Sequence, residues 1–287
     1  MCDSDNNQGF VDTSFTRRSA VITMTAAAAM AALPGAAFAA GVVETDVMVP
    51  TPDGKADAAL FYPAGKGSWP AILMWPDILG LRPVFREMGR RLAAAGYVVL
   101  VPNPFYRTNR APVVTGPFDF NNPQQRDSLM AIRGKLTGAM VDKDAAAFIT
   151  FLDAQKQTNR RTGVGVQGYC FSGPFAFQAA ADRPDRVRAV ATFHGGGLVT
   201  KNADSPHLLV AKTKASFLVA IARNDDQKQP EAKEVLKTAF AAAKRPAVVE
   251  VFPADHGWCV EGGGTYNHAS AERAWAELLR LYRANLS

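Results

Sequence analysis

The sequence predicts an α/β fold, a mostly parallel central sheet with helices on both faces. Three observations predict it. Short apolar runs such as residues 71–75 and 97–101 alternate with segments of helical spacing from Gly41 onward. Those runs are continuous, the pattern of strands covered on both faces. The chain has 287 residues, 48% hydrophobic and 20% charged, which supplies enough apolar side chain for one large core. Strand and helix in alternation favour parallel pairing through crossovers, with sites beyond the carboxyl ends of the strands.

The first segment reads as something other than fold. Residues 1–14 are polar. They are followed by Thr16-Arg17-Arg18-Ser19, an apolar run over 20–33, and Ala37-Phe38-Ala39. A charged region, a short apolar region and a small-x-small site make a secretory signal. The paired Arg17-Arg18 and the weak, alanine-rich run resemble a twin-arginine export signal, although Ala20, Val21 and Ile22 depart from its later positions. The run is too short and too rich in alanine for a membrane anchor. Residues 1–39 are therefore expected to be removed after Ala39, leaving one domain over 40–287, exported, periplasmic and free of the membrane.

Within that domain, residues 42–49 and 58–62 read as opening strands around Pro52-Asp53-Gly54. Residues 71–75 read as a strand, and 83–95 as a helix ending at Gly96. Residues 97–101 are the next strand. Residues 103–127, rich in proline, asparagine and glycine, are long for a plain connection and read as a rim or cap over a site. Residues 128–155 read as one helix. Further strands are expected at 164–167, 187–193, 215–222 and 247–252, with helices at 231–243 and 269–284. The apolar side of the last helix, Ala271, Ala274, Trp275, Leu278, Leu281 and Tyr282, reads as core packing.

Composition narrows the function classes. A net charge of +6 without a basic run gives no case for nucleic-acid binding. Three cysteines make no disulfide framework. Nothing calls for a metal or another cofactor.

The chemistry centres on Gly168-Tyr169-Cys170-Phe171-Ser172-Gly173, set between a strand and a helix that starts with Pro174. Strand, glycine-bracketed turn and helix make a nucleophile elbow, whose central residue takes a strained backbone. That residue is Cys170. The helix N-terminus behind it lowers the cost of negative charge on sulfur and on an oxyanion. The plainer alternative is a small buried thiol at a strand end. Ser172 is no rival, because glycine would then have to stand at 170.

The rest of the chain favours the first reading. After the strand at 215–222 come Asp225 and Asp226, and after the strand at 247–252 comes His256. Nucleophile, acid, base is the α/β-hydrolase order. His194 and His207 precede the acid, and His268 opens the last helix. Asp225 is preferred to Asp226, because Ala222 leaves room for the turn. His256 would draw the proton from a thiol of ordinary pKa ~8.5. Asp225 would hold the imidazole in the right tautomer. The oxyanion donors would be the backbone N–H groups of Phe171 and, from the loop after Trp75, Ile78. His194, at a strand end beside glycines, is a candidate to line the substrate pocket; Tyr169 and Trp258 join it. The substrate would be a small ester or lactone, cleaved through a thioester.

These motifs together resemble the dienelactone hydrolase family over nearly the whole chain after the signal. In that family a strand ends in an acid-Ile-x-Gly loop, matched here by Asp77-Ile78-Leu79-Gly80. The resemblance implies that Asp77, where the family typically has glutamate, contacts the resting thiol. It also implies that Arg107 holds a substrate carboxylate. A second arginine expected four residues after the histidine is replaced by Val260, and Ser172 replaces a more usual glycine. The near alternative is a carboxylesterase or thioesterase for other acyl groups. A redox protein using Cys170 and Cys259 lacks a Cys-x-x-Cys motif, and a non-catalytic binding protein has no need of the intact set. Cys259 is expected to be a packed thiol, or under oxidation a disulfide partner of Cys170.

Overall fold

In the computed structural model, residues 41–287 are described, and the export-signal reading lies outside the described residues. The continuous apolar runs form the middle of the sheet. They are β3 (Ala71–Trp75), β4 (Val98–Pro102), β5 (Val164–Tyr169), β6 (Val187–Phe193) and β7 (Ser216–Ala222), buried almost throughout. The more polar β1 (Val42–Thr51) and β8 (Ala247–Phe252) take the two edges, and β2 (Gly54–Pro63) joins β1 to β4. The order is β1-β2-β4-β3-β5-β6-β7-β8. Only the β1–β2 and β2–β4 pairs are antiparallel.

Eight helices accompany the strands among the described residues: α1 (Pro83–Ala94), α2 (Pro123–Gly134), α3 (Gly138–Asp153), α4 (Gly173–Asp182), α5 (Pro206–Leu209), α6 (Arg223–Lys228), α7 (Ala232–Ala242) and α8 (His268–Asn285). Alternation along a strand sends neighbouring side chains to opposite faces. Leu73 and Trp75 of β3 accordingly pack in one core with Phe148 of α3, Phe177 of α4 and Phe240 of α7. Ile72 and Met74 pack in the other with Phe85 of α1 and Leu278 and Tyr282 of α8. Burying a side chain of this size contributes about 1.5–3 kcal/mol, so the apolar stripe of α8 is core. No helix among the described residues is long and apolar enough to cross a membrane.

Two expectations need correction. Residues 128–155 are not one helix. Asn122, whose side chain accepts from the Gln125 N–H, and Pro123 start α2 earlier, and Thr137 starts a new helix by accepting from the Met140 N–H at 3.3 Å. Residues 223–228, read as a loop, form α6, so both candidate acids lie in a helical first turn. The long β4–α2 connection folds back over the site. Phe105 and Leu129 share a small apolar cluster with Ile78, and Val113, Phe118 and Phe171 pack against it.

Candidate active site

The elbow forms where the sequence puts it. Cys170 is half-buried with φ +57°, the left-handed strain expected of the central residue. A single 3-10 turn, Cys170–Ser172, runs from it into α4. A Cβ at Gly168 would stand 2.2 Å from the Ser172 carbonyl oxygen, so only glycine permits so tight a turn. Ser172, fully buried, uses its hydroxyl where the resemblance led one to expect glycine. Its Oγ accepts from the Tyr169 N–H at 2.9 Å and lies 3.1 Å from the Trp75 carbonyl.

β7 ends in α6 and β8 ends in the loop carrying His256, and these two ends meet. His256 Nδ1 is 2.5 Å from Asp225 Oδ2, and the His256 N–H donates to Asn224 Oδ1 at 2.8 Å. Thr265 Oγ1 donates to the His256 carbonyl at 2.8 Å and fixes the loop from its far side. Asp226 turns the other way and receives Lys233 Nζ at 2.7 and 2.8 Å. Of the two acids, Asp225 is the one hydrogen-bonded to His256.

Electrostatics link the three groups. Burial works against charge on His256, but the hydrogen bond with Asp225 and the influence of the nearby Cys170 outweigh it and raise its pKa to about 10. Burial alone would raise Asp225, whereas the hydrogen bond and charge of His256 hold it below the usual carboxylate value. An imidazole that meets a thiol on one side and a carboxylate on the other can carry a proton taken from sulfur.

Ile78 and Phe171 come together through their shared apolar cluster with Phe105, whose ring stacks on Phe171 at 5.6 Å. In the Asp77–Gly80 turn, the Leu79 N–H goes to Asp77 Oδ1 and the Gly80 N–H to the Asp77 carbonyl. Among the described residues, neither the Ile78 nor the Phe171 N–H has a protein acceptor, as an oxyanion donor requires.

His194 is 1% exposed, with φ +40°, and its ring centre lies 4.8 Å from that of His256. Neither ring nitrogen has a partner. Burial, and then the charge on His256, lower its pKa to about 3, so it stays neutral. Its ring packs against those of His256 and Trp258 and is closed to solvent.

Four site expectations are corrected. Tyr169 is 3% exposed, its ring lies between Phe85 and Phe193, and its hydroxyl accepts from Gln167 Nε2 at 2.7 Å. It is the last residue of β5, and its side chain packs in the core on the α1 and α8 side of the sheet. Trp258 is fully buried and stacks on Phe252 at 4.7 Å. Asp77 is bound within its own loop, where Arg82 holds both its oxygens, at 2.5 and 2.8 Å, and it has no hydrogen bond to the thiol. Arg107 reaches Asp144 with two nitrogens, at 2.7 and 2.8 Å, and Asp53 at 2.8 Å. It is turned toward α3 and the β1–β2 turn. Cys170 and Cys259 are both free thiols. Cys259 lines a cavity of about 100 Å³ between α1 and α8, together with Tyr169 and Trp275. Among the described residues, no group of three or more His, Cys, Asp and Glu is placed to hold a metal ion.

Strand order, elbow and the meeting of the β7 and β8 ends define an α/β-hydrolase fold. A profile of the dienelactone hydrolase family matches residues 56–286, and the chain belongs to that family. A relative from Methylorubrum extorquens is 28% identical, with 98% of this chain and 97% of its own length aligned. The carboxymethylenebutenolidase of Rhodococcus opacus is 26% identical over 77% of this chain and 83% of its own. Among solved structures, a dienelactone hydrolase-like promiscuous phosphotriesterase from metagenomic libraries superposes with a TM-score of 0.71. It is 21% identical, covering 86% of this chain and 100% of its own.

Proposed function

We propose that this protein hydrolyses an ester or enol lactone, with Cys170 as nucleophile, His256 as general base and acid, and Asp225 as the residue that orients the imidazole. One observation carries the reading: Asp225 holds the His256 ring through Nδ1 where the ends of β7 and β8 meet, and Cys170 stands in the strained turn after the neighbouring β5. The family and the carboxymethylenebutenolidase relative support the reaction class.

The steps follow from these groups. His256 takes the thiol proton, and the sulfur attacks the carbonyl carbon. The carbonyl electrons move to oxygen, where the N–H groups of Ile78 and Phe171 receive the charge. Collapse breaks the bond to the leaving oxygen, which takes the proton from His256, and a thioester remains on Cys170. Water then gives a proton to His256 and attacks the thioester carbon. The second collapse releases the acid and returns the proton to sulfur.

Intact-mass measurement during turnover of p-nitrophenyl acetate tests the reading. It expects an acetyl adduct mapped to Cys170 and a Cys170→Ala variant without adduct or activity. Unchanged esterase activity in that variant overturns it. The reading includes export: residues 1–39 act as a twin-arginine-like signal, and a mature protein that still carries Met1–Ala39 in the periplasmic fraction of its host counts against that part.

A further inference from the structure

Resting on the hydrolase reading above, we propose that the substrate offers Cys170 an uncharged, apolar acyl group and that the site has no receptor for a substrate carboxylate. The first support is the state of the cations on the loops at this end of the sheet. Arg107 sits between Asp144 and Asp53, and Lys143 lies 3.8 Å from Asp53. Two cations face two carboxylates, so the local charge sums to zero. Asp144 is 1% exposed and also accepts from the Tyr106 hydroxyl at 2.9 Å. A substrate carboxylate would have to displace a buried, multiply bonded partner, and a charge left buried without its partner is strongly unfavourable.

The other loops repeat this arrangement. Arg82 is closed on Asp77 and also donates to the Gly80 carbonyl. Arg223 pairs with Asp255 at 2.9 Å and Lys233 with Asp226 at 2.7 Å. The loop after His256 carries Val260, 4% exposed, where the resemblance led one to expect an arginine. The exposed Lys201 lies in water, where a carboxylate gains little from pairing, and the exposed Lys228 stands 3.6 Å from Asp225.

The second support is what packs around Ile78 and Phe171. Phe171, next to Cys170, stacks on Phe105 and meets Phe175 edge-on at 5.1 Å. Phe118 packs on the cluster that holds Ile78 and in turn meets Phe120, which is 49% exposed. The two oxyanion donors are thus set in an aromatic and aliphatic rim formed by the β4–α2 connection. Such a rim gains from covering a hydrocarbon chain and loses from desolvating an unpaired carboxylate.

Comparison of p-nitrophenyl hexanoate with the p-nitrophenyl monoester of glutaric acid on the full chain tests this. The expected result is a kcat/KM at least tenfold higher for the hexanoate. Equal or better cleavage of the glutaric monoester overturns the substrate class while leaving the hydrolase reading intact, since that ester is still cleaved. Turnover of neither ester, without an adduct on Cys170, overturns both. A Phe118→Ala variant is expected to lower the hexanoate-to-acetate kcat/KM ratio several-fold; an unchanged ratio overturns the part played by the rim.

Discussion

Ser172 Oγ lies 3.1 Å from the Trp75 carbonyl oxygen, which joins the turn carrying Cys170 to the end of the strand that leads to Ile78. The same oxygen accepts from the Tyr169 N–H and lies 2.9 Å from the Tyr169 carbonyl. One buried hydroxyl therefore ties the Cys170 turn to the end of β3. Ser172→Ala leaves the Tyr169 N–H without its partner, at a cost of about 1–3 kcal/mol. The expected outcome is a loss of that size in urea denaturation, together with a lower kcat at little-changed KM, as misplaced oxyanion donors would produce.

Asp225 and Asp226 are adjacent in sequence and opposite in role. Asp225 holds His256, whereas Asp226 holds Lys233. Asp225→Asn is expected to lower kcat/KM on the order of 10²–10⁴-fold, because an amide can hold the imidazole in the wrong tautomer. Asp226→Asn removes only a partly exposed ion pair, worth about 0–1 kcal/mol. Its activity is expected to stay within a few-fold of the parent. Steady-state kinetics of both variants check the pair, and the reverse ranking contradicts the site.

The pKa of His256, raised to about 10, gives a pH dependence with a definite sign. The unfolded chain has the ordinary value, about 6.5. The folded state holds the proton more tightly, so this proton stabilises the fold. Its contribution is fully present below about 6.5 and is lost as pH rises from there through about 10. The stability advantage of the parent over His256→Gln is therefore expected to shrink across that interval and to be level below it. Urea midpoints at a series of pH values measure this.

Much of this was readable from the chain, for physical reasons. Runs with no polar interruption allow only doubly covered strands, and the strands at 187–193 and 247–252 were placed to the residue. The order of Cys170, Asp225 and His256 is fixed by topology, since each follows its own strand in one parallel sheet. The break between α2 and α3 was also legible, in the Thr137 cap and in Gly134 and Gly138, but the apolar spacing on either side masked it. Tyr169 ends β5 with its ring in the core on the α1 and α8 side, a placement that depends on packing across the sheet. Arg107 is a different case: its partners Asp53 and Asp144 lie 54 and 37 residues away, and no local pattern announces an ion pair across a fold.

Asp77 shows how a tertiary partner reassigns a residue. A carboxylate free to reach the thiol would affect the reactivity of sulfur directly. Here Arg82 takes both oxygens, and the Leu79 N–H takes a further bond, so Asp77 shapes the loop that carries Ile78. Asp77→Asn keeps the side chain's size but gives up the charge that holds Arg82. The expected outcome is a kcat lowered about tenfold, the size of a partly misaligned oxyanion donor. The rate of Cys170 alkylation by iodoacetamide at pH 7, which needs no oxyanion donor, is expected to stay within about two-fold. Parallel loss in both measurements would return Asp77 to the thiol and place its role in controlling the nucleophile.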